Sequence, residues 1–226
     1  MKKIMIGTPT YNGCLDVHYV DVLPATMVKG FTDYDMQIYP IYICYDSLVQ
    51  RARNDLIRIA VESEVDDLVF IDSDMGWIPE DFFKLLGYDV DIVGGTYRKK
   101  TDIENYVVKI SAENKLTLSD NNLVEVSGLG AGFLRLTKKA INALWDSAEE
   151  YTDGDKKNRM IFNIGVRDGF LLSEDIMACA KLRDLGFKIW LDPSITCTHT
   201  GIKTFEGNFN EWAKLVKPII KVGEEL

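Results

Sequence analysis

The segment that most constrains the fold is residues 67–71 (DLVFI), which is short and apolar after its first position. A short, continuously apolar strand is typical of one that is buried on both faces of a parallel sheet. Further strand-like runs occur at residues 3–8, 36–45 and 90–94. Helical patterns lie on either side of residues 67–71, and this β-α-β-α-β order predicts a parallel sheet with helices on both faces.

The two helices of this pattern have recognisable starts. Apolar residues recur at helical spacing over about residues 48–63, after a capping residue at Asp46 or Ser47. The second helix opens at Pro79, and the two residues that follow are acidic, which suits the positive end of a helix.

The second half of the chain is more mixed, and an α+β arrangement fits it best. The polar segment at residues 152–159 is expected to be a loop. Strands are predicted at residues 105–110, 116–119, 123–127 and 187–191, and helices at about residues 137–150, 173–185 and 209–216.

The charge balance limits the classes of partner. With 26 Lys and Arg against 35 Asp and Glu, the net charge is −9, so a broad nucleic-acid surface is not expected. No apolar run approaches a membrane span, and the N-terminal run is too short for a signal peptide. The four cysteines have no C-x-x-C spacing, so we expect buried thiols in a cytoplasmic protein.

The sharpest motif is Asp72-Ser73-Asp74, directly after the apolar strand. Ligands of open α/β sheets bind beyond the carboxyl ends of the strands. Two carboxylates crowded at such a position repel each other unless a cation holds them. Mg²⁺ or Mn²⁺ together with the phosphates of a nucleotide would supply that charge, since both ions prefer oxygen ligands. The alternative is a solvated turn or a helix cap.

The chain has two histidines, His18 and His199. His18 lies in a polar stretch near the start and is expected to be a surface residue in a loop. His199 follows the last predicted strand, where a neutral imidazole could complete the coordination begun by the two aspartates. The alternative is a buried histidine whose hydrogen bonds are satisfied by the neighbouring threonines.

Three other groups have both a structural and a functional interpretation. Glu174 and Asp175 stabilise a helix start through its dipole, yet a carboxylate there could also be a general base. The arginines of residues 50–58 are either solvated or near a diphosphate, with Arg53 directed away from the face that carries the others. The glycines of residues 128–132 lack P-loop spacing and are expected to allow close backbone approach, in packing or beside a substrate.

The order of these motifs resembles the GT-A glycosyltransferases, in particular their family 2-like group, over roughly residues 3–201. The matching segments are residues 8–12, 52–54, 68–74, 128–132 and 174–175, and His199. The resemblance implies one GT-A-like α/β domain over residues 1–226. Its parts would be a Rossmann-like nucleotide-binding half with a mixed sheet at about 1–100, an α+β acceptor half at about 101–201 and a tail at 202–226.

The resemblance also implies a nucleotide-sugar donor of UDP or GDP type, an Mn²⁺ or Mg²⁺ ion, and a glycan or other hydroxyl acceptor. The implied donor contacts are Thr8, Pro9, Thr10, Tyr11, Arg53, Asn54, Asp72 and Ser73. The implied metal ligands are Asp72, Asp74 and His199. Asp175, with Glu174 beside it, is implied as the catalytic base. Weaker contacts to sugar or acceptor are expected at Trp77, Gly130, Gly132 and Lys203.

The resulting hypothesis is a metal-dependent glycosyltransferase, with inversion slightly favoured because no second nucleophile is evident. Two alternatives stay open: a nucleotidyltransferase acting on sugar phosphates, and a non-catalytic nucleotide- or sugar-binding module of the same fold. A haloacid-dehalogenase-type phosphatase is disfavoured, since residues 75–77 depart from the continuation its Asp-x-Asp motif needs. No base-reading aspartate is evident near the second strand, so the donor base is open.

Overall fold

The structure, a computed structural model, describes residues 1–110, 116–201, 203–216 and 219–221. Its helices are α1 (Val17–Tyr34), α2 (Val49–Glu62), α3 (Pro79–Gly87), α4 (Lys138–Ser147), α5 (Glu174–Asp184) and α6 (Phe209–Val216). Its first strands are β1 (Lys2–Thr10), β2 (Met36–Cys44), β3 (Asp67–Ile71), β4 (Met75–Gly76), β5 (Ile92–Tyr97), β6 (Val108–Lys109), β7 (Leu116–Leu118), β8 (Val124–Val126) and β9 (Gly128–Leu129). The later strands are β10 (Phe133–Thr137), β11 (Glu150–Asp153), β12 (Lys156–Arg159), β13 (Gly165–Arg167), β14 (Phe170–Leu172), β15 (Ile189–Thr200), β16 (Thr204–Phe205) and β17 (Ile219–Lys221).

The central sheet is mixed. Its strand order is β17-β7-β8-β15-β5-β10-β3-β1-β2, and β4 and β16 also pair with β15. β1 runs parallel to β2 and β3, and β5 runs parallel to β15, whereas β10 is antiparallel to both of its neighbours. The predicted α/β class with a mixed sheet is confirmed. The purely parallel arrangement expected for the first half is wrong at β10, because a strand from the second half is inserted between β3 and β5.

Strand β3 is buried on both faces, as its sequence predicts. Leu68 and Phe70 pack in a core cluster with residues of α2, α4 and α5, and Val69 and Ile71 pack in a second cluster with residues of α1 and α3. All four side chains are inaccessible to solvent. The helices therefore cover both faces of the sheet.

Helix α1 is the largest element that the sequence pattern did not predict. Its first turn is capped by Asp16, whose carboxylate accepts a hydrogen bond from the backbone N–H of His18. His18 is exposed as expected, but it lies in this helix and not in a loop. The solvent-facing side of α1 also carries apolar residues, such as Val28 and Phe31, which are exposed. The helix therefore lacks the contrast between a polar and an apolar face that marks an amphipathic helix.

Two local predictions are corrected. Residues 152–159 belong to the antiparallel β11–β12 hairpin and are not a loop. The hairpin is held by strand pairing and by the Lys157–Glu150 ion pair (3.0 Å). Most of its residues are not buried, so its strands have a polar sequence. Helix α2 has Leu48 at its N-cap, with no side-chain capping bond, although Asp46 accepts from the Leu48 N–H at 2.8 Å. The C-terminal tail contributes β17 to the sheet, pairing with β7.

Both predicted halves supply strands to the same sheet. β1, β2, β3 and β5 come from the first 100 residues, and β7, β8, β10 and β15 come from later residues. Within the described residues, no helix has the length and apolar character needed to cross a bilayer.

Candidate functional site

The carboxyl ends of β1, β2, β3 and β5 lie at one edge of the sheet, because β1 is parallel to β2 and β3 and because β10 is antiparallel to both β3 and β5. A cavity of about 370 Å³ opens there. Its lining residues are Pro9, Thr10, Tyr11, Asp46, Ser47, Val49, Asp72, Ser73, Asp74, Tyr97, Val107 and His199. The cavity therefore collects predicted site residues from three distant parts of the chain: the end of β1, the Asp-x-Asp turn and the end of β15.

A larger cavity of about 510 Å³ lies between α5 and the β13–β14 hairpin. Its lining includes Arg167, Phe170, Ile176 and Arg183, and, as far as the structure describes the chain, none of the predicted site residues. We place the functional site in the smaller cavity, since the carboxylates and the histidine face it.

Asp72 is held by a buried arginine. Arg53 Nη2 donates to Asp72 Oδ1 at 2.8 Å, and Nη1 donates to the Ala131 carbonyl at 3.2 Å. Arg53 Nε of the same guanidinium lies 3.5 Å from Glu174 Oε1. Arg53 is 3% exposed and is directed away from the surface arginines of its helix, as expected. Its charge thus joins the Asp-x-Asp turn to the start of α5, and its side chain is not part of the cavity lining.

Two further predicted donor contacts are interior residues. Asn54 is fully engaged with the chain: its Oδ1 accepts from the Ile161 and Phe162 N–H groups at 3.2 and 2.7 Å, and its Nδ2 donates to the Phe162 carbonyl at 3.1 Å. Thr8 is inaccessible to solvent and shares a hydrogen bond of 2.6 Å with Tyr19. β1 continues two residues beyond its predicted end, so Thr8 lies within the strand and below the cavity.

Asp74 is shared by two partners on the same oxygen. Lys100 Nζ donates to Asp74 Oδ2, and His199 Nε2 lies 3.6 Å from that oxygen. Burial of Asp74 opposes its ionisation, but the interactions with His199 and Lys100 outweigh burial and lower its pKa to about 2. Asp74 is therefore ionised at any physiological pH.

His199 is oriented by its second ring nitrogen. Nδ1 lies 2.8 Å from the Arg98 carbonyl oxygen, and since a carbonyl can only accept, Nδ1 carries the proton of this hydrogen bond. Nε2 is thus the ring nitrogen that faces Asp74 Oδ2, where it can donate a proton to that carboxylate or, without a proton, bind a cation. Tyr97 packs edge-on against the ring, with the ring centres 4.9 Å apart. An imidazole nitrogen and a carboxylate oxygen placed in this way are suited to a shared cation.

Two of the three predicted metal ligands, Asp74 and His199, are placed to bind a divalent cation, and the third is not. Among the described residues, no group of three His, Cys, Asp or Glu side chains is placed to hold a metal ion. Asp72, the third predicted ligand, is bound to Arg53. Asp74 and His199 offer the oxygen and imidazole ligands that Mn²⁺ accepts, with phosphate or water left to complete the coordination.

The acidic pair at the start of α5, Glu174 and Asp175, is joined to the Asp-x-Asp turn through Arg53. Burial, and secondarily the charge of Asp175, raise the pKa of Glu174, although Arg53 opposes the shift. Asp175 Oδ1 accepts from the Ser173 hydroxyl and from the Ile176 N–H, the latter at 2.7 Å, so its carboxylate is fixed at the helix start.

Electrostatics link Asp175 to the cavity wall. Burial, together with the charges of Asp72 and Asp175, raises the pKa of Tyr97 well above its ordinary value. Tyr97 lines the cavity, so Asp175 lies close enough to influence it. The glycines of residues 128–132 make room for this ring: a Cβ on Gly130 or Gly132 would come within 2.5 or 2.6 Å of the Tyr97 hydroxyl. Packing, one of the two roles expected for these glycines, is therefore observed, and their contact with a substrate stays a prediction.

The remaining weak predictions do not reach the cavity. Trp77 is 5% exposed and donates from Nε1 to Thr26 Oγ1 at 3.1 Å, so it is a core residue and cannot stack on a sugar. Lys203 is exposed and paired with Asp102.

Sequence reasoning missed Asp46, Tyr97 and Lys100. Asp46 follows β2 at the edge where the parallel strands end, and that position was an available signal for a carboxylate near the second strand. Arg51 donates from Nε and Nη2 to the two Asp46 oxygens, each at 2.8 Å, and this lowers the pKa of Asp46. Tyr97 and Lys100 lie at and just beyond the end of β5, and no local pattern marks them.

Comparisons with known proteins bear on the fold. No protein-family model matches the sequence, and no curated protein matches it. The chain is similar to A197 from STIV, with a TM-score of 0.53 and 18% identity, over 89% of this chain and 86% of A197. At this identity, the likeness shows a shared fold and nothing further.

Two other solved structures match more weakly. One is a glycosyltransferase involved in the glycosylation of the major capsid of PBCV-1, with a TM-score of 0.33 and 11% identity over 62% of each chain. The other is a proposed nucleotide-diphospho-sugar transferase from Desulfovibrio desulfuricans G20. Its TM-score is 0.40, with 10% identity over 84% of this chain and 80% of that one. Similarity at this level does not bear on function, so the functional argument rests on the site.

Proposed function

We propose that this chain is a GT-A-like glycosyltransferase that moves a sugar from a nucleotide-sugar donor to an acceptor hydroxyl. The observation that carries the proposal is the single cavity at the carboxyl edge of the sheet. It joins the end of β1, the Asp-x-Asp turn and His199, and a buried arginine connects it to the acids of α5. The family 2-like assignment is part of the proposal and rests on the order of the motifs.

The donor nucleotide would lie between the end of β1 and the start of α2. Tyr11 is 75% exposed at the cavity mouth, where its ring can cover a base. Asp46 lines the same side. Its Oδ1 already accepts from Arg51 and from the Leu48 N–H, but its Oδ2 accepts only from Arg51 and has acceptor capacity left. Uracil and guanine both present ring N–H donors to a carboxylate, so this wall supports a UDP or GDP donor.

Asp74 and His199 would hold Mn²⁺ or Mg²⁺ against the donor diphosphate. Bound there, the ion would offset the charge that develops on the departing nucleoside diphosphate. Asp72 would stay paired with Arg53 and face the donor with Ser73. The roles of these residues are proposals, and the donor chemistry of Asp74 and His199 supports them.

Asp175 is proposed as the base that accepts the proton of the acceptor hydroxyl. Its carboxylate is fixed by Ser173 and by the Ile176 N–H, which is what a positioned base requires. Glu174, paired with Arg53, would hold the start of α5 against the donor site. A base on the far side of the sugar from the diphosphate favours inversion at the transferred carbon.

The test is a thermal-shift panel of UDP, GDP, CDP, ADP and TDP, each with Mn²⁺ and with EDTA. A ligand at about 100 times its Kd stabilises a fold by roughly 2.7 kcal/mol, which raises the melting temperature of a chain of this size by about 5–10 °C. We expect one nucleoside diphosphate to give such a shift with Mn²⁺, and Asp74→Asn to remove the Mn²⁺-dependent part. If none of the five shifts the transition in either condition, the proposed donor site is wrong.

A further inference from the structure

Lys100 occupies the oxygen that a cation would need. Its ammonium donates to Asp74 Oδ2, and the same oxygen faces His199 Nε2 at 3.6 Å. A cation bound by Asp74 Oδ2 and His199 Nε2 would meet the positive charge of Lys100 at close range. Two like charges cannot share one carboxylate oxygen without strong repulsion, so Lys100 must leave when such a cation binds.

The surroundings of Lys100 allow that movement. It lies three residues beyond the end of β5, and its side chain is 34% exposed. The middle of its stem lies over Gly201, where an added Cβ would be 2.9 Å from Lys100 Cδ. The absence of a side chain at Gly201 therefore gives the stem room beside the end of β15. A lysine has a flexible four-carbon stem, so its ammonium can turn from Asp74 to a group a few ångströms away.

The charges of the site are complementary to a diphosphate only after this movement. Asp46 and Asp72 each already have an arginine partner, Arg51 and Arg53 respectively. A divalent cation on Asp74 leaves one net positive charge, and the released Lys100 adds a second. The diphosphate of a nucleotide-sugar carries two negative charges, which these two would balance.

We propose that Lys100 is a mobile counter-ion of the site: it neutralises Asp74 in the metal-free protein and moves to the donor diphosphate when a divalent cation binds. This inference rests on the proposed function and deepens it by assigning a diphosphate contact. It also predicts opposite effects of one substitution on two ligands, which a merely structural lysine would not produce.

The first experiment titrates Mn²⁺ alone, following the free ion by electron paramagnetic resonance, with wild type, Lys100→Met, Lys100→Arg and Lys99→Met. Loss of the competing ammonium should tighten Mn²⁺ binding about fivefold in Lys100→Met. Lys100→Arg should stay near wild type because it keeps the charge. Lys99→Met removes the same charge one residue earlier and should change the Kd by less than about twofold. Asp74→Asn should lose the site, which shows where the measured ion binds.

The second experiment measures binding of the nucleoside diphosphate chosen by the thermal-shift panel at saturating Mn²⁺. Lys100→Met should weaken it about tenfold, because a charge-assisted bond to phosphate is lost, while Lys99→Met should not. Mn²⁺ affinity that is unchanged or weaker in Lys100→Met overturns the counter-ion role, even if the nucleotide binds normally. Unchanged nucleotide affinity overturns the diphosphate contact. Failure of every nucleotide to bind, with the Mn²⁺ result as expected, would instead overturn the proposed function.

Discussion

Arg53 and Asp72 form an ion pair in which a nearly inaccessible guanidinium donates to a carboxylate at the cavity wall, with 2.8 Å between Nη2 and Oδ1. Nε of the same guanidinium lies 3.5 Å from Glu174 Oε1. One buried positive charge therefore stabilises two acids from distant parts of the chain, one directly after β3 and one at the start of α5. This explains how the acidic groups of the site can lie close together in the folded chain.

The first prediction concerns this arginine. Arg53→Met should lower the free energy of unfolding by about 3 kcal/mol, because Asp72 and Glu174 lose their shared counter-charge while they stay largely buried. Urea unfolding measures it. The control Lys188→Met removes an exposed ion pair with Glu125 and should cost less than about 1 kcal/mol. Equal losses in the two variants would show that the burial of Arg53 has no energetic consequence.

The second prediction is a pH dependence at Glu174. Burial raises the pKa of Glu174 in the folded protein above its ordinary value of 4.5. The folded state therefore binds the proton of Glu174 more tightly than the unfolded state does. The stability contributed by this proton is lost as pH rises above 4.5 and through the raised pKa.

Glu174→Gln mimics the protonated form, so the variant should gain stability relative to wild type as pH rises from 4 toward 7. Urea unfolding across that range measures the difference, and Glu125→Gln on the surface is the control. A difference that does not change with pH, or that changes in the opposite direction, would contradict the assigned shift.

The third prediction separates binding from chemistry at Asp175. If Asp175 is the base, Asp175→Asn should lower the rate of sugar transfer by about 10²–10⁴-fold, since that is the usual contribution of general base catalysis. The thermal shift produced by the nucleoside diphosphate should be unchanged, because Asp175 does not line the donor cavity. Transfer at the wild-type rate would exclude Asp175 as the base.

The fourth prediction concerns the packing of Gly132 against Tyr97. An added Cβ would lie 2.6 Å from the Tyr97 ring, so Gly132→Ala should cost about 2 kcal/mol through overpacking and should displace the ring from the cavity wall. In a Tyr97→Ala background the same change should cost at least 1 kcal/mol less. Gly87→Ala is the matched control, since nothing lies within 4 Å of its added Cβ. Additive effects would show that the two sites do not interact.

Local sequence was sufficient to predict the elements whose signals are short-range. β3 was predicted with its bounds, because a strand buried on both faces leaves a continuous apolar run, here the four residues after Asp67. The placement of Asp72, Ser73 and Asp74 at the functional edge followed from the same strand, since ligand sites of α/β sheets lie beyond the carboxyl ends. His199 was placed there by the same reasoning applied to the last strand.

Tertiary structure decided what depends on pairing between distant segments. The insertion of β10 between β3 and β5 is set by hydrogen bonds to residues about 40 and 65 positions away, and no local pattern encodes them. The same assembly turned Arg53 and Asn54 inward and placed Lys100 on Asp74. The sequence by itself determined which residue types reach the edge of the sheet. Only the folded chain decided which carboxylate receives which cation, because those distances depend on the register of the whole sheet.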